Sequence, residues 1–405
     1  MFAQLTAPGK RAPRLARAAG RLATRVTAIL SLAWLAACAD VAGGPAGGNA
    51  PSLGAGEAVP VALLVPSGSG SQTDEFVASS LENAARLAIS DLNGAEIDLR
   101  VYPTAASPSG ATSATVQAIN DGAKIILGPL YAENANAAGV AAAGTGVNVL
   151  AFSNNADIAG GNVFILGPTF GNIANRLVSY GTSQGLDTYL VAHGDDLQGQ
   201  VGRDAIVSAV NRFGGTVAAV QSYALTQADI LAAAPGIAAA ARSTGADAIF
   251  LTAGVNADLP IIATALPDNG LTPDIARYLG LTRWDAVPQA LSLPGLQGGL
   301  FTLPNEATSS QFERHYSATY GESPHPVAGL AYDGIAAVGA LAASGRSDAL
   351  SRAALTQPQG FSGTQGIFRL LADGTTERGL AVASIQNSQV VILDPAPSSF
   401  GGFGF

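Results

Sequence analysis

The stretch ILGPLYAENANAAG at residues 126–139 joins an apolar run, a Gly-Pro turn and a helix-prone run in immediate succession. Ile125, Ile126 and Leu127 stop at Gly128-Pro129, and small residues that favour a helix begin a few positions later. In an α/β protein, the turn after the carboxyl end of a strand is often a place where a ligand binds. The stretch therefore predicts a strand, a turn and a helix, and it raises the turn as a candidate binding site.

The same alternation of β-like runs and helix-like segments extends over most of the chain. A first series of β-like runs covers 59–66, 97–104, 124–130, 147–153 and 163–169, and a second covers 188–194, 216–223, 247–254, 276–282 and 298–304. Helix-like segments at 74–92, 170–185 and 198–214 have apolar residues three and four apart. Strands this apolar are typical of parallel sheets covered on both faces. The pattern predicts an α/β fold with two lobes, each a doubly wound, mainly parallel sheet with helices on both faces.

The C-terminal part of the sequence follows a different pattern. The β-like runs at 367–374 and 380–393 are close together and are separated by a Gly-containing turn, which predicts an antiparallel pair. The last residues, SSFGGFGF, predict a disordered tail over 396–405.

Composition and charge narrow the classes of function. The chain has 405 residues, of which 48% are hydrophobic and 12% charged, so two domains with sizeable cores are expected. Residues 1–37 carry six of the 20 basic residues and no acid, which leaves 14 basic against 29 acidic residues, a balance of −15. Such a surface repels phosphate backbones, so we expect no nucleic-acid partner.

Motifs for catalysis, cofactors and metals are missing from the sequence. His193, His315 and His325 show no metal-ligand spacing, and there is no G-x-S-x-G, G-x-x-x-x-G-K or G-x-G-x-x-G motif. We therefore expect a protein that is not an enzyme and that uses no cofactor and no metal.

The N-terminus combines a basic stretch with a short apolar run, VTAILSLAWLAA at 26–37, as in a signal peptide. The run is followed by Cys38, and the sequence LAAC at 35–38 resembles a bacterial lipobox, which implies lipidation of Cys38 after removal of residues 1–37. The alternative is a cleavable signal peptide with an incidental cysteine. Cys38 is the single cysteine and cannot form an intramolecular disulfide, which favours the lipobox. Residues 38–57, rich in Ala, Gly and Pro, predict a flexible tether, and the protein is expected in the cell envelope or periplasm, held to a membrane by its lipid.

Five stretches occur in an order and spacing that resemble a known family. They are VPVALLVPSGSG at 59–70, GAKIILGPLYAENA at 122–135, VNVLAFSNN at 147–155, VFILGPT at 163–169 and LAYDGIAAVGAL at 330–341. Together they resemble the leucine-binding-protein type of periplasmic binding protein (type I fold), and within it the branch called penicillin-binding protein activators. The resemblance covers residues 58–395. It implies that lobe 1 comprises 58–169 plus 305–350, that lobe 2 comprises 170–304 plus 351–395, and that the chain crosses between lobes near Gly167 to Thr169, near Asn305 and near Gly360 to Gly366.

The resemblance also implies candidate ligand-binding residues in lobe 1. They are Ser67 and Ser69 after the first strand, Tyr131 and Ala132 after the third, and Ser153, Asn154 and Asn155 after the fourth. Amino-acid receptors of the family usually have a small hydroxyl residue where this chain has Tyr131 and Ala132. Because an α-carboxylate needs hydroxyl and backbone N–H donors, this departure argues against amino-acid binding.

The resemblance implies further candidates in lobe 2, near the second crossover and later in lobe 1. Asp195, with His193 and Asp196, follows one strand, and Asn256, with Asp258, follows another. Glu306 is a candidate, and so are Tyr332 and Asp333. For these residues, solvated loop positions or structural contacts are the alternative to ligand binding.

Two functions remain compatible with the sequence. The first is a regulator that stands on a membrane by its lipid and contacts a peptidoglycan synthase, as the activator branch implies. The second is a receptor that closes on an amino acid or a similar small polar ligand and delivers it to the permease of an ABC importer. The sequence-based preference is the activator, on the strength of GAKIILGPLYAENA and the departure at Tyr131 and Ala132.

Overall fold

The computed structural model describes residues 51–54 and 56–401. The predicted signal peptide, Cys38 and most of the predicted tether lie outside these residues. The chain first builds a parallel sheet of five strands in the order β2-β1-β3-β4-β5. These strands are β1 (Val59–Val65), β2 (Ile97–Pro103), β3 (Ile125–Leu127), β4 (Asn148–Ala151) and β5 (Val163–Ile165). We call this sheet, with the elements packed on it, the first lobe.

The second lobe is built on a larger sheet of mixed direction. Its strand order is β15-β14-β10-β9-β8-β6-β7, in which β14 runs antiparallel to both β10 and β15. The strands are β6 (Thr188–Gly194), β7 (Thr216–Tyr223), β8 (Ala248–Leu251), β9 (Arg277–Gly280), β10 (Leu300–Leu303), β14 (Ala381–Gln386) and β15 (Gln389–Asp394). Most residues of the central strands β8, β9 and β10 are buried, as expected of strands with helices on both faces.

Helices cover both sheets. Along the chain they are α1 (Gln72–Asp91), α2 (Pro108–Asn120), α3 (Ala132–Ala142), α4 (Phe170–Ser183), α5 (Leu197–Arg212), α6 (Gln227–Thr244), α7 (Leu259–Asp268), α8 (Glu306–Tyr320), α9 (Ala328–Ala342) and the short α10 (Arg352–Leu355). Several begin after a capping residue, such as Ser71 before α1 and Thr169 before α4, whose side chains accept hydrogen bonds from the first turn. The α/β class and the parallel sheets flanked by helices confirm the sequence-based prediction.

The C-terminal strands pair differently from the sequence-based expectation. Residues 367–374 and 380–393 do not pair with each other. The first run belongs to a small antiparallel sheet of β11 (Phe361–Gly363), β12 (Gly366–Leu370) and β13 (Thr376–Arg378), whereas the second folds on itself as the β14–β15 hairpin of the larger sheet. Thr376 to Arg378 form an extra strand that pairs with β12. Asn387 and Ser388 adopt the left-handed backbone of the tight turn between β14 and β15.

The small sheet packs with the first lobe. Phe361, Phe368 and Leu370 are buried in the same apolar cluster as Leu63, Leu81 and Ile335. Residues 351–378, which the resemblance assigns to lobe 2, thus contribute to the core of the first lobe, since Leu355 belongs to the same cluster and the small sheet covers α9. The third crossing between the lobes follows β13, at Gly379 and Leu380, instead of Gly360 to Gly366.

Both ends of the described chain contact the first lobe. Leu53, in the segment predicted as a tether, packs against the first-lobe core, and its N–H donates to the Ser347 carbonyl at 2.9 Å. In the segment predicted as a disordered tail, the Phe400 ring lies under the Arg369 guanidinium, 4.6 Å from its centroid. Over residues 51–54 and 56–401, no helix is long and apolar enough to cross a membrane.

Candidate functional site

The loops after β1 and β3 meet at one corner of the first lobe, because these two parallel strands are neighbours. Tyr131 precedes α3 and has 40% of its surface exposed. Its hydroxyl donates to Asp74 Oδ1, and the Ser69 hydroxyl donates to Asp74 Oδ2 at 2.7 Å. The Gly68 N–H donates to Glu75 Oε1 at 2.7 Å. We call Gly68, Ser69, Asp74, Glu75 and Tyr131 the first-lobe corner.

The donors of the first-lobe corner are therefore engaged by the chain's own carboxylates. A ligand carboxylate placed there would meet two negative charges and would have to displace Asp74 from the hydroxyls of Ser69 and Tyr131. The hydrogen bonds also shift the titration of this pair. Donation by Tyr131 and then by Ser69 lowers the pKa of Asp74, and acceptance by Asp74 raises the pKa of Tyr131 to about 12.

The loop after β4 divides its three candidate residues between two roles. Ser153 is buried, and its hydroxyl accepts the Asn155 N–H at 3.1 Å, so it holds the turn. Asn155 Oδ1 accepts the Asp157 N–H at 2.9 Å and begins a short 3-10 turn. Asn154 is exposed, and its side-chain amide makes no hydrogen bond with any described residue.

Asn154 and Asn155 line a cavity of about 740 Å³ that we call the hinge pocket. Its walls come from both lobes. Residues 154–157 and 371–378 form the first-lobe side, and residues of α4 and α5 form the second-lobe side. A volume of this size lies in the range of small-molecule sites, which are usually about 300–1,000 Å³.

Three charged side chains on the hinge pocket have partners behind its walls. Arg176 is buried and pairs with Asp394 at 2.7 Å, while its Nε–H donates to the Leu380 carbonyl at 2.7 Å. Arg378 is buried and pairs with Asp333 at 3.5 Å. Glu377 pairs with Arg369 at 2.5 Å. The pocket thus presents little unpaired charge from these three residues.

The remaining candidates occupy several places in the fold. Ser67 is half-buried after β1, and Ala132 is the first residue of α3 beside the first-lobe corner. Asp195 and Asn256 are exposed after the neighbouring strands β6 and β8 of the second lobe. Glu306 is exposed in the first turn of α8. These five residues do not line the hinge pocket.

Four secondary candidates make structural contacts. Asp258 is buried and accepts from the Tyr223 hydroxyl at 2.6 Å and from the Gly254 N–H at 2.7 Å, and burial raises the pKa of Tyr223. His193 is buried with Nδ1 2.7 Å from the Gly194 carbonyl oxygen. The Tyr332 hydroxyl donates to Asp91 at 2.8 Å, which links α9 to α1. Asp333 accepts from the Thr364 N–H at 2.6 Å and pairs with Arg378.

The structure adds residues that sequence reasoning missed. Asp74, the acceptor at the first-lobe corner, stands three positions after Ser71, and this S-x-x-D spacing marks a helix start. Asn175, Gln198 and Val201 line the hinge pocket from α4 and α5. Their helical spacing predicts a helix face but does not say which face turns toward the other lobe.

Comparison with known proteins agrees with this architecture. The family model for periplasmic binding proteins matches residues 58–389. No curated protein shows significant sequence similarity to the chain.

Solved structures share the fold at low sequence identity. A protein described as a branched-chain amino acid ABC transporter from Rhodospirillum rubrum aligns with a TM-score of 0.67 at 17% identity, over 83% of this chain and 100% of that one. An ABC transporter substrate-binding protein from Sphaerobacter thermophilus aligns with a TM-score of 0.63 at 17% identity, over 86% and 99%. One from Desulfitobacterium hafniense, in complex with Leu, aligns with a TM-score of 0.58 at 18% identity, over 83% and 100%. Because the family model matches most of the sequence and the two-lobe architecture accompanies it, the chain belongs to the periplasmic binding protein family.

Proposed function

We propose that the protein is a solute receptor that binds a small ligand between its two lobes and closes on it. The observation that carries the proposal is the hinge pocket, a cavity of about 740 Å³ with walls from both lobes. A ligand that contacts both walls stabilises the arrangement in which they are close together, and this differential affinity drives closure. Proteins of the periplasmic binding family generally bind solutes rather than catalyse reactions.

The partner that best fits this role is the permease of an ABC importer in the cell envelope. Solved structures that share the fold include substrate-binding proteins of ABC transporters, one of them in complex with Leu. Their identity to this chain is 17–18%, so they support the class of partner and leave the ligand open. The receptor would act in the periplasm, where the predicted signal peptide would deliver it.

Ligand-induced closure tests the proposal. Residues 51–405 would be screened by thermal unfolding against amino acids, sugars, carboxylates and amines, and each hit would be followed by small-angle X-ray scattering. A ligand at 100 times its Kd stabilises the folded state by about 2.7 kcal/mol, which raises the midpoint of unfolding. We expect at least one hit that also reduces the radius of gyration. A hit without a change in radius would argue against closure.

The first-lobe corner favours a second candidate, the regulator of a peptidoglycan synthase. Because Asp74 and Glu75 engage its donors, the corner offers no free cradle for the α-carboxylate of an amino acid. A regulator would need no solute. If the protein is such a regulator, proteinogenic amino acids at millimolar concentration should not raise its unfolding midpoint. A specific rise with one amino acid would contradict the regulator function.

Membrane attachment forms part of either role. We propose that Cys38 carries a lipid and becomes the first residue of the mature chain, as the sequence LAAC at 35–38 suggests. The lipid would hold the receptor close to its permease, or the regulator close to its synthase.

A further inference from the structure

We propose that the ligand is an uncharged, hydroxyl-rich solute of the size of a mono- or disaccharide, and that it binds in the hinge pocket instead of at the first-lobe corner. This inference rests on the proposed receptor function and adds the chemical class and the location of the ligand. It depends on three properties of the hinge pocket and on one property of the corner.

The hydrogen-bond donors of the first-lobe corner already have partners within the chain. The hydroxyls of Ser69 and Tyr131 both donate to Asp74, and the Gly68 N–H donates to Glu75. A neutral ligand that took over one of these donors would leave a carboxylate with one hydrogen bond fewer, and an anionic ligand would also be repelled by it. Ligand binding at this corner therefore competes with contacts that the folded chain already makes.

The hinge pocket, in contrast, is lined by side-chain amides without partners. Asn154 on the first-lobe side and Asn175 and Gln198 on the second-lobe side line the cavity, and none of the three side chains hydrogen-bonds to a described residue. An amide both donates and accepts, and so does a hydroxyl group. Amides on two facing walls therefore match a ligand that carries several hydroxyls.

Apolar side chains form another part of the same wall. Leu197 and Val201, one turn apart on α5, are 77% and 41% exposed, and Phe170 at the start of α4 is half-buried beside the cavity. Large apolar side chains grouped on a pocket wall and open to water mark a ligand-contact surface. The C–H face of a sugar ring is an apolar surface on an otherwise hydrophilic molecule, which fits this combination of walls.

Three ion pairs disfavour an ionic ligand at Arg176, Glu377 and Arg378, although Asp157, Arg212 and Asp373 also line the pocket and form no ion pair with a described residue. Arg176 and Arg378 are neutralised by Asp394 and Asp333, and Glu377 is neutralised by Arg369. An anion would have to compete with these pairs for the guanidinium groups, and a cation would have to compete for the carboxylates. An uncharged ligand leaves every one of the pairs in place.

Calorimetric titration of the soluble chain, residues 51–405, with glucose, N-acetylglucosamine, maltose, leucine, benzoate and putrescine tests the proposal. We expect binding of an uncharged sugar and none of the charged probes. Asn175→Ala and Leu197→Ser should each weaken that binding, Asn175→Ala by about tenfold for the loss of one hydrogen bond. Asn211→Ala and Leu231→Ser are matched controls, because both residues are exposed on second-lobe helices and neither lines the pocket, so both variants should leave the affinity unchanged.

The alternative outcomes separate the inference from the receptor function. Binding of leucine, benzoate or putrescine, with no binding of sugars, would overturn the inference and leave a receptor. Sugar binding that is insensitive to Asn175→Ala and Leu197→Ser but lost in Tyr131→Ser would overturn the location. If no probe of any class binds, both the inference and the receptor function fail, and the regulator remains.

Discussion

At the scale of single residues, Arg378 joins parts of the chain that are distant in sequence. It pairs with Asp333 of α9 at 3.5 Å and donates from Nη2 to the Leu166 carbonyl, at the end of β5. Its guanidinium also lies over the Phe368 ring, 5.3 Å from the centroid. Because Leu166 precedes the first crossing between the lobes and Arg378 precedes the third, one side chain ties two crossings together.

Loss of Arg378 should destabilise the fold strongly. Arg378→Ala leaves Asp333 fully buried without its cation, and breaking one partner of a buried pair costs about 3–5 kcal/mol. Urea unfolding would measure the free energy of unfolding. Arg346→Ala is the control, since its pair with Asp348 is exposed and should contribute little. A loss below about 1 kcal/mol for Arg378→Ala would show that the pair does not support the fold.

The Tyr131–Asp74 hydrogen bond should be visible in the titration of the tyrosine. The pKa of Tyr131 is raised to about 12, first by its hydrogen bond to Asp74. Because a raised pKa favours the protonated phenol, the bond supports the fold below pH about 10 and is lost as pH rises through about 12. NMR titration of the protein labelled with ¹³C at tyrosine Cζ would measure this pKa, and Asp74→Asn should move it toward about 10. An unchanged pKa in the variant would exclude the contact.

Sequence reasoning located Tyr131 at the right place but could not see its partner. The turn after β3 follows from an apolar run that stops at Gly128-Pro129. Asp74 lies in another helix, and only the pairing of β1 with β3 brings the two residues together. Similarly, Asp333 was a candidate ligand-binding residue with a structural contact as the alternative, and its partner, Arg378, belongs to a strand that was not predicted.

At the scale of elements, the first crossing between the lobes ends at the capped start of α4. The Thr169 hydroxyl accepts the Asn172 N–H at 3.3 Å, and Asn172 Oδ1 accepts the Thr169 N–H at 2.9 Å. Asn172 Nδ2 also donates to the Thr376 carbonyl of β13 at 2.6 Å. The capping pair thus fixes the direction of α4 relative to the strand that leads to the third crossing.

Removal of this cap should cost measurable stability. Thr169→Ala deletes the acceptor of the Asn172 N–H and should lower the free energy of unfolding by about 1 kcal/mol, within a usual range of about 0.5–2. Thr169→Ser keeps the hydroxyl and should retain most of the stability. Denaturant midpoints for the two variants make the comparison, and equal losses for Ala and Ser would mean that the hydroxyl does not act as a cap.

Element positions were more predictable than their pairing. All ten β-like runs of the two main series contain strands, because apolar runs bounded by Gly and Pro report burial directly. The pairing of the last strands was not predictable, because a turn at Gly374 and a turn at Asn387 are equally compatible with the local sequence. What decides between them is contact with β10 and with α9, far away along the chain.

At the scale of the whole molecule, membrane attachment is the property that the sequence predicts most directly. Cys38→Ser should release the protein from the membrane fraction without altering the unfolding of residues 58–395, since Cys38 lies 20 positions before that range in the sequence. Fractionation with a carbonate wash, followed by thermal unfolding of the soluble protein, measures both effects. A Cys38→Ser variant that stays with the washed membrane would contradict the lipid anchor.

The way the chain is interleaved has a consequence for how it becomes folded. The buried first-lobe core runs from Val59 to Leu370, and β10 of the second lobe pairs with β14, which comes later in the chain. During synthesis from the N-terminus, the first lobe lacks part of its core until Leu370 has been made, and the larger sheet lacks β14 until residues 381–386 have been made. Until then the nascent chain cannot reach its complete fold, and an incompletely folded chain is what a narrow export channel can admit. Folding would then be postponed until the chain has reached the far side of the membrane.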